Sequence, residues 1–273
     1  MSESLKEHLL LTDIRRRADE HFDRPEPVFR ISHEGLLQRA RQSPPADSNR
    51  RAIVSAFSDW VYDLYYHPFG RSPNVLWNLR QEESFRRLAA LELGTAAEPA
   101  MVEKYIRELK EQAAQRHAQR EVERKQYMAR YAERTYKGAG WEIIYNGTSA
   151  SDEQSKLIDH LRINADPLKA KPDLVLRDSE SGDVLVLELK TWRGGKYLPR
   201  FGWANTKAQL WCYGLLQWPE QPRNVYLQVH VWLRQRGELT GRFWVLTPWR
   251  SNDPRIHREA LQLFEAFGGT YIN

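Results

Sequence analysis

The chain has 273 residues, a formal net charge of +5 and a sequence isoelectric point near 9.2. This length allows one large domain or two small ones, and the basic balance suits a nucleic-acid binder without requiring it. The single cysteine, Cys212, excludes an internal disulfide. No apolar run approaches the length of a bilayer span, and the charged start is unlike a secretory signal, so we expect a cytoplasmic protein that does not enter a membrane.

The first part of the chain is predicted to be mostly helical. Its helical patterns are separated by breaks that contain proline and glycine, which end helices. The last pattern is very long and is followed by Gly138 and Gly140, the expected stop. The predicted helices cover about 4–22, 50–66, 74–93 and 98–137. We therefore expect a helical N-terminal region over residues 1–110.

Residues 111–273 are predicted to form an α/β domain. A first strand is predicted at 141–145, and two apolar runs around a polar turn then indicate an antiparallel hairpin. A helix follows the hairpin, and the chain continues with two strands and a last helix that starts after Asp253-Pro254. These later elements are predicted at 203–218, 225–233, 242–247 and 255–267.

The hairpin brings two acidic residues together. A turn centred between Glu180 and Ser181 places Asp173 opposite Glu188, and strand alternation puts Lys190 on the same face. The other face carries only leucines: Leu174, Leu176, Leu185, Leu187 and Leu189. Two carboxylates and an ammonium at the ends of apolar strands cost desolvation energy, and a divalent metal held by the carboxylates would offset that cost.

The helix after the hairpin has a polar face. Gln209 and Tyr213 are one turn apart and share this face, with Asn205 a further turn earlier. An apolar stripe on another side is formed by Trp211, Leu215 and Trp218. An ordinary amphipathic helix behind an ordinary hairpin would give the same pattern.

The segment between Lys190 and this helix alternates cations with aromatics. Cations bind phosphates and aromatics stack on bases, so the alternation predicts a path for single-stranded nucleic acid beside the hairpin. The alternative is a loop whose aromatics pack inward and whose cations only contact water. The predicted nucleic-acid contacts are Arg193, Lys196, Tyr197, Arg200, Phe201 and, on the helix, Lys207.

Together these motifs resemble the PD-(D/E)XK nuclease superfamily. Pro172-Asp173 matches the PD, and Glu188-Leu189-Lys190 matches the (D/E)XK. The Gln209-x-x-x-Tyr213 spacing is similar to that of the RecB-like branch. The resemblance covers about half of the chain. It implies a restriction-endonuclease-like core, with a helix on each side of a mixed central sheet.

The resemblance also implies roles for these residues. Asp173, Glu188 and the backbone carbonyl of Leu189 would bind Mg²⁺, or Mn²⁺ in its place, and Lys190 would orient or activate the attacking water. Gln209 and Tyr213 would position the lysine and the nucleic-acid strand. The family has a further acidic ligand on the preceding helix. Its candidates here are Glu121, Glu123 and Glu133, of which Glu123 is preferred because about four turns follow it. His117 is a further candidate for the metal site, with an ordinary surface histidine as the favoured alternative.

The expected function is Mg²⁺-dependent hydrolysis of DNA phosphodiester bonds, with endonuclease and exonuclease activity both open. The substrate would be single-stranded DNA or duplex ends. One cysteine cannot hold the iron–sulfur cluster of some RecB-like nucleases. A helicase or another protein is a possible partner, because the chain lacks a phosphate-binding loop of its own. A non-catalytic DNA-binding or adaptor module and an RNA nuclease remain alternatives.

Overall fold

A computed structural model describes residues 10–23, 32–46, 50–66, 73–93, 98–194, 198, 202–218 and 221–272. The chain divides into two compact units. One combines Met1–Tyr65 with Lys125–Asn273, and the other is Tyr66–Arg124. The boundary expected near residue 110 stays a prediction. Among the described helices, none has both the length and the apolar character needed to cross a bilayer.

The described secondary structure is α/β. The helices are α1 (Leu11–Asp23), α2 (His33–Gln42), α3 (Val54–Tyr66), α4 (Pro73–Leu93), α5 (Pro99–Lys137), α6 (Ala204–Gly214) and α7 (Pro254–Ala266). The strands are β1 (Trp141–Asn146), β2 (Lys156–Ile163), β3 (Asp166–Ala170), β4 (Leu174–Asp178), β5 (Val184–Trp192), β6 (Val225–Gln235), β7 (Glu238–Val245), β8 (Trp249–Arg250) and β9 (Gly269–Tyr271).

The smaller unit, Tyr66–Arg124, contains α4 and the larger part of α5. Surface ion pairs join the two helices: Arg86 lies 3.4 Å from Glu103, and Lys110 lies 3.7 Å from Glu82. These side chains are exposed to water, so each pair contributes at most about 1 kcal/mol.

The larger unit is built on a mixed sheet with the order β1-β4-β5-β6-β7, and β8 pairs with β6 beside this row. Strands β1, β4 and β5 are antiparallel neighbours, whereas β5 and β6 are parallel. Leu174 faces Leu187 and Val175 faces Val186 across the β4–β5 hairpin. This confirms the hairpin and the register predicted from its turn.

Each face of the main sheet is covered by its own core. The leucine face of the hairpin packs against α1 and the last turns of α5, with Ile14, Ala132 and Tyr136 among the buried residues. The opposite face, with Val175 and Val186, packs against α3, α6, α7 and a second, three-stranded sheet. Strand β5 is buried on both faces, which explains its nearly continuous apolar run.

Several features differ from the sequence-based expectations. Strand β7 begins at Glu238, four residues before the predicted start, and strand β8 was not predicted. Helix α2 was not predicted. Neither was the small sheet with the order β3-β2-β9, because β2 alternates poorly between buried and exposed positions. Helix α6 ends at Gly214 instead of continuing to the residue before Pro219. Glycine fits at this helix end because a side chain at Gly214 would come within 2.7 Å of Ser251 and 3.1 Å of Leu227.

Candidate functional site

Asp173 and Glu188 meet at the open end of the β4–β5 hairpin, as their register predicts. Asp173 immediately precedes β4, and its Oδ2 accepts a hydrogen bond of 2.8 Å from the backbone N–H of Leu189. The Leu189 side chain belongs to the leucine core. Asp173 is 4% exposed and Glu188 is fully buried. Two acidic side chains are therefore held side by side with little access to water.

Lys190 and helix α6 contact the same carboxylate. Lys190 Nζ lies 2.8 Å from Glu188 Oε1 and donates a second bond of 2.8 Å to Gln209 Oε1. The amide nitrogen of Gln209 donates to Glu188 Oε1 at 3.1 Å and to the Tyr213 hydroxyl at 2.8 Å. Tyr213 in turn donates to the carbonyl of Lys171 at 3.2 Å. The structure thus brings four of the predicted residues into one connected network.

The second carboxylate oxygen of Glu188 takes no part in this network. Its Oε2 is buried and has no hydrogen-bond partner among the residues that the structure describes. Burial raises the pKa of Glu188, and the neighbouring Asp173 carboxylate raises it further. An unpartnered buried oxygen beside a second carboxylate is a donor set that suits a divalent cation, which prefers carboxylate oxygens and offsets their desolvation.

Lys125 is a member of the site that the sequence analysis missed. Its Nζ lies 2.6 Å from Asp173 Oδ1 and 3.9 Å from Glu188 Oε1. With Lys190, the site therefore contains two carboxylates and two ammonium groups, whose formal charges cancel. Lys125 belongs to a predicted helix full of charges, and no periodic signal separates it from the other charged residues of that helix.

Gly147 is a second residue that was missed. Its N–H donates to the carbonyl of Asp173 at 3.0 Å. A Cβ atom at this position would lie only 2.1 Å from the carbonyl oxygen of Pro172. The close approach of the loop after β1 therefore fixes the Pro172-Asp173 segment, and it requires glycine for steric reasons.

The candidates for an upstream acidic ligand have other partners. Glu133 accepts a hydrogen bond of 2.6 Å from Asn146, and Glu123 accepts one of 3.0 Å from Gln119. Glu121 pairs with Arg124 and lies 3.8 Å from His117. Glu121, Glu123 and His117 belong to the smaller unit. No group of three or more His, Cys, Asp or Glu side chains suited to a metal occurs within the described part of the chain.

Asp59 on α3 is an acidic residue that the sequence analysis did not consider for the site. Partial burial raises the pKa of its carboxyl, and the positive charge of Lys190 acts in the opposite direction. The neighbouring Ser58 hydroxyl donates to the carbonyl of Asn205 on α6 at 3.1 Å. Helix α3 therefore adds negative charge to the surroundings of Lys190.

The predicted nucleic-acid contacts are described only in part. Arg193 is exposed at the end of β5, and Lys207 is half-buried on α6. Lys196, Tyr197, Arg200 and Phe201 lie outside the described residues. The role of this segment in nucleic-acid binding stays a prediction.

Comparisons with known proteins add little to this geometry. No family model matches the chain, and no curated protein matches it. A solved structure described as "Crystal structure of SSO0001" is 12% identical, covering 96% of this chain and 86% of that chain, with a TM-score of 0.24. A likeness at this TM-score carries no argument about the fold or the function.

Proposed function

We propose that the protein is a metal-dependent nuclease that hydrolyses DNA phosphodiester bonds with a PD-(D/E)XK-type site on a restriction-endonuclease-like core. The observation that carries the proposal is the buried pair of Asp173 and Glu188 with the open Oε2 of Glu188. The pair lies on a hairpin whose register matches the motif, and α6 contributes the Gln209 and Tyr213 contacts. Mg²⁺ is the cation that we infer, with Mn²⁺ as a substitute.

Asp173 and Glu188 would hold the cation through their carboxylates, and the carbonyl of Leu189 would assist. A divalent cation at this place supplies Lewis acidity to a phosphate and lowers the pKa of a bound water. The chain's own contribution is to hold the two carboxylates adjacent in a largely dry site, where electrostatic interactions are strong. Lys190 and Lys125 oppose the rise in the pKa of Glu188 that burial causes.

Lys190 is the group that would meet the reacting phosphate or water. Gln209 accepts from its ammonium and donates to Glu188, so the amide fixes the lysine relative to the carboxylate. Tyr213 fixes the amide in turn. A lysine held in this way can donate to the attacking water or to a non-bridging phosphate oxygen without further rearrangement.

A non-catalytic nucleic-acid-binding or adaptor module is the second candidate. The observation that favours it is the charge balance of the site, because Lys125 and Lys190 already neutralise the two carboxylates. A binding module would need no metal at such a site. An RNA phosphodiester could bind to the same side chains, and the test therefore includes RNA.

The test is a cleavage assay with linear, circular and single-stranded DNA and with RNA, in Mg²⁺, Mn²⁺ or a chelator. Glu188→Gln and Asp173→Asn should abolish cleavage without unfolding the protein. The matched control is Asp178→Asn, because Asp178 is a buried carboxylate at the other end of β4 and accepts its hydrogen bonds from Ser181. Absence of cleavage under every condition would favour the binding module, whereas cleavage that survives in Glu188→Gln would place the active site elsewhere.

A further inference from the structure

An exposed tryptophan lies in line with the candidate site. Lys190 on β5 faces Val231 on β6, and Val231 faces Trp244 on β7. Residues paired in this way across a sheet project from the same face. Trp244 therefore lies two strands from Lys190, on the face of the sheet that carries Glu188 and helix α6.

Trp192 joins Trp244 on this face. It follows Lys190 by two positions on β5, so both side chains project to the same side. The Trp192 and Trp244 rings are 5.5 Å apart, with an angle of 80° between their planes. Trp192 is half-buried against the core, whereas Trp244 is 40% exposed. The pair thus consists of a supporting ring and a ring that faces water.

The exposure of Trp244 contrasts with that of its neighbour on β7. Phe243 projects to the other face, where it stacks on Trp232 with ring centroids 4.6 Å apart. Phe243 therefore has a packing role, and the same strand leaves a larger ring exposed at Trp244. Exposed tryptophan beside a polar site is typical of surfaces that bind planar or apolar ligands.

Cations flank the aromatic pair. Arg193 follows Trp192 and is exposed, and Arg242 precedes Trp244 by two positions on the same face of β7 and is also exposed. An aromatic ring between cations matches the chemistry of a nucleic-acid strand, whose bases stack while its phosphates bind the cations.

We propose that Trp244, supported by Trp192, stacks on a base of a single-stranded nucleic-acid segment next to the scissile phosphate. This inference rests on the proposed function, because it takes its occupant from the chemistry at Glu188 and Lys190. The substrate at this position should be single-stranded, since a base inside a duplex is stacked on its neighbours and cannot present its face to a ring.

The test measures binding of single-stranded DNA in Ca²⁺ by Glu188→Gln protein, which should not cut. Two substitutions at Trp244 separate stacking from apolar contact: Trp244→Phe keeps an aromatic ring, and Trp244→Leu keeps an apolar side chain without one. We expect Trp244→Leu to lose about 5- to 100-fold in affinity, which is about the range found when the stacking of one base is lost. Trp244→Phe should lose much less. The salt dependence should not change in either variant, whereas Arg242→Gln should lower its slope by about 0.7.

Ile144→Ala is the matched control, because Ile144 is 37% exposed on β1, at the opposite end of the strand row. It should bind like the parent, and melting curves should show all variants folded. Equal affinity of the Trp244→Leu and parent proteins would overturn the inference, as would preference for blunt duplex over single strands. A wild-type protein that neither binds nor cuts any nucleic acid would instead overturn the proposed function.

Discussion

Two fully buried carboxylates belong to the same stretch of chain: Asp183 immediately precedes strand β5, and Glu188 lies within it. They differ in their partners. Both oxygens of Asp183 accept hydrogen bonds, from the Arg15 guanidinium at 2.7 and 3.1 Å and from the Asn224 amide at 3.2 and 3.3 Å. Glu188 uses one oxygen for Lys190 and Gln209, and its other oxygen has no partner within the described residues.

The difference distinguishes a carboxylate with a structural role, Asp183, from one for which we propose a functional role, Glu188. Asp183 joins helix α1 to the sheet through a completed set of donors. A buried acceptor without a donor costs about 1–3 kcal/mol, so Glu188 carries an unfavourable contribution that packing does not require. Functional sites are one place where proteins accept such a contribution, because a ligand there can supply the missing interaction.

The largest expected effect is on cleavage by Glu188→Gln. The amide removes the negative charge from the open oxygen, so activity should fall by more than about 100-fold, beyond the 10- to 100-fold loss usual for residues that only support a metal ligand. Thermal stability should change little, because the cost of the buried charge and its attraction to Lys190 are lost together and act in opposite directions. A large loss of stability with normal activity per folded molecule would reverse our assignment of the two carboxylates.

Asp183→Asn should show the opposite behaviour. It leaves Arg15 without its anion, and we expect the free energy of unfolding to fall by about 1–3 kcal/mol, since part of the arginine still reaches water. Activity of the folded protein should be retained. Denaturant unfolding measured with cleavage on the same samples checks this, and loss of activity in a fully folded sample would contradict it.

Gly147→Ala tests how Asp173, the second carboxylate of the site, is held in position. The added methyl would collide with the Pro172 carbonyl, so the segment that carries Asp173 must shift, at about 1–3 kcal/mol for an overpacked position. We expect weaker binding of Mn²⁺ by calorimetry together with reduced stability. Gly138→Ala is the control, because its Cβ would meet neighbouring atoms at 3.4 Å or more. Equal metal affinity in both variants would show that Gly147 does not position Asp173.

Lys125→Met should give the smallest effect, in the direction of tighter binding. The ammonium of Lys125 lies where it opposes the approach of a cation to Asp173, and its removal should raise Mn²⁺ affinity by about five- to tenfold. That change corresponds to about 1 kcal/mol, as expected for a charge pair that is partly exposed. Lys137→Met, on the same helix, should leave the affinity unchanged. Weaker binding by Lys125→Met would mean that Lys125 supports the metal instead of competing with it.

The features of the candidate site that could be predicted are those that depend on residues close together in the sequence. The β4–β5 turn determines the register, and the register places Asp173 opposite Glu188. Helical spacing likewise predicted that Gln209 and Tyr213 share a face, and they are joined by a hydrogen bond. These relations follow from backbone periodicity alone, so the sequence was sufficient.

The parts that were missed depend on contacts between distant segments. Lys125 reaches Asp173 across 48 positions of the chain. Asp59 comes near Lys190 where its neighbour Ser58 is hydrogen-bonded to Asn205 on α6. Gly147 was overlooked because its steric role depends on how closely Pro172 approaches it. No pattern within a single helix or strand encodes these distances.

The only cysteine of the chain has a practical consequence for studying the site. Cys212 is fully buried in α6, directly before Tyr213, and burial raises the pKa of its thiol. A protonated, inaccessible thiol reacts slowly with alkylating reagents, so labelling requires a local opening of the structure around α6. The rate of labelling therefore reports, without any engineered probe, how often the helix that carries Gln209 and Tyr213 leaves its place, and whether a bound cation or nucleic acid holds it there.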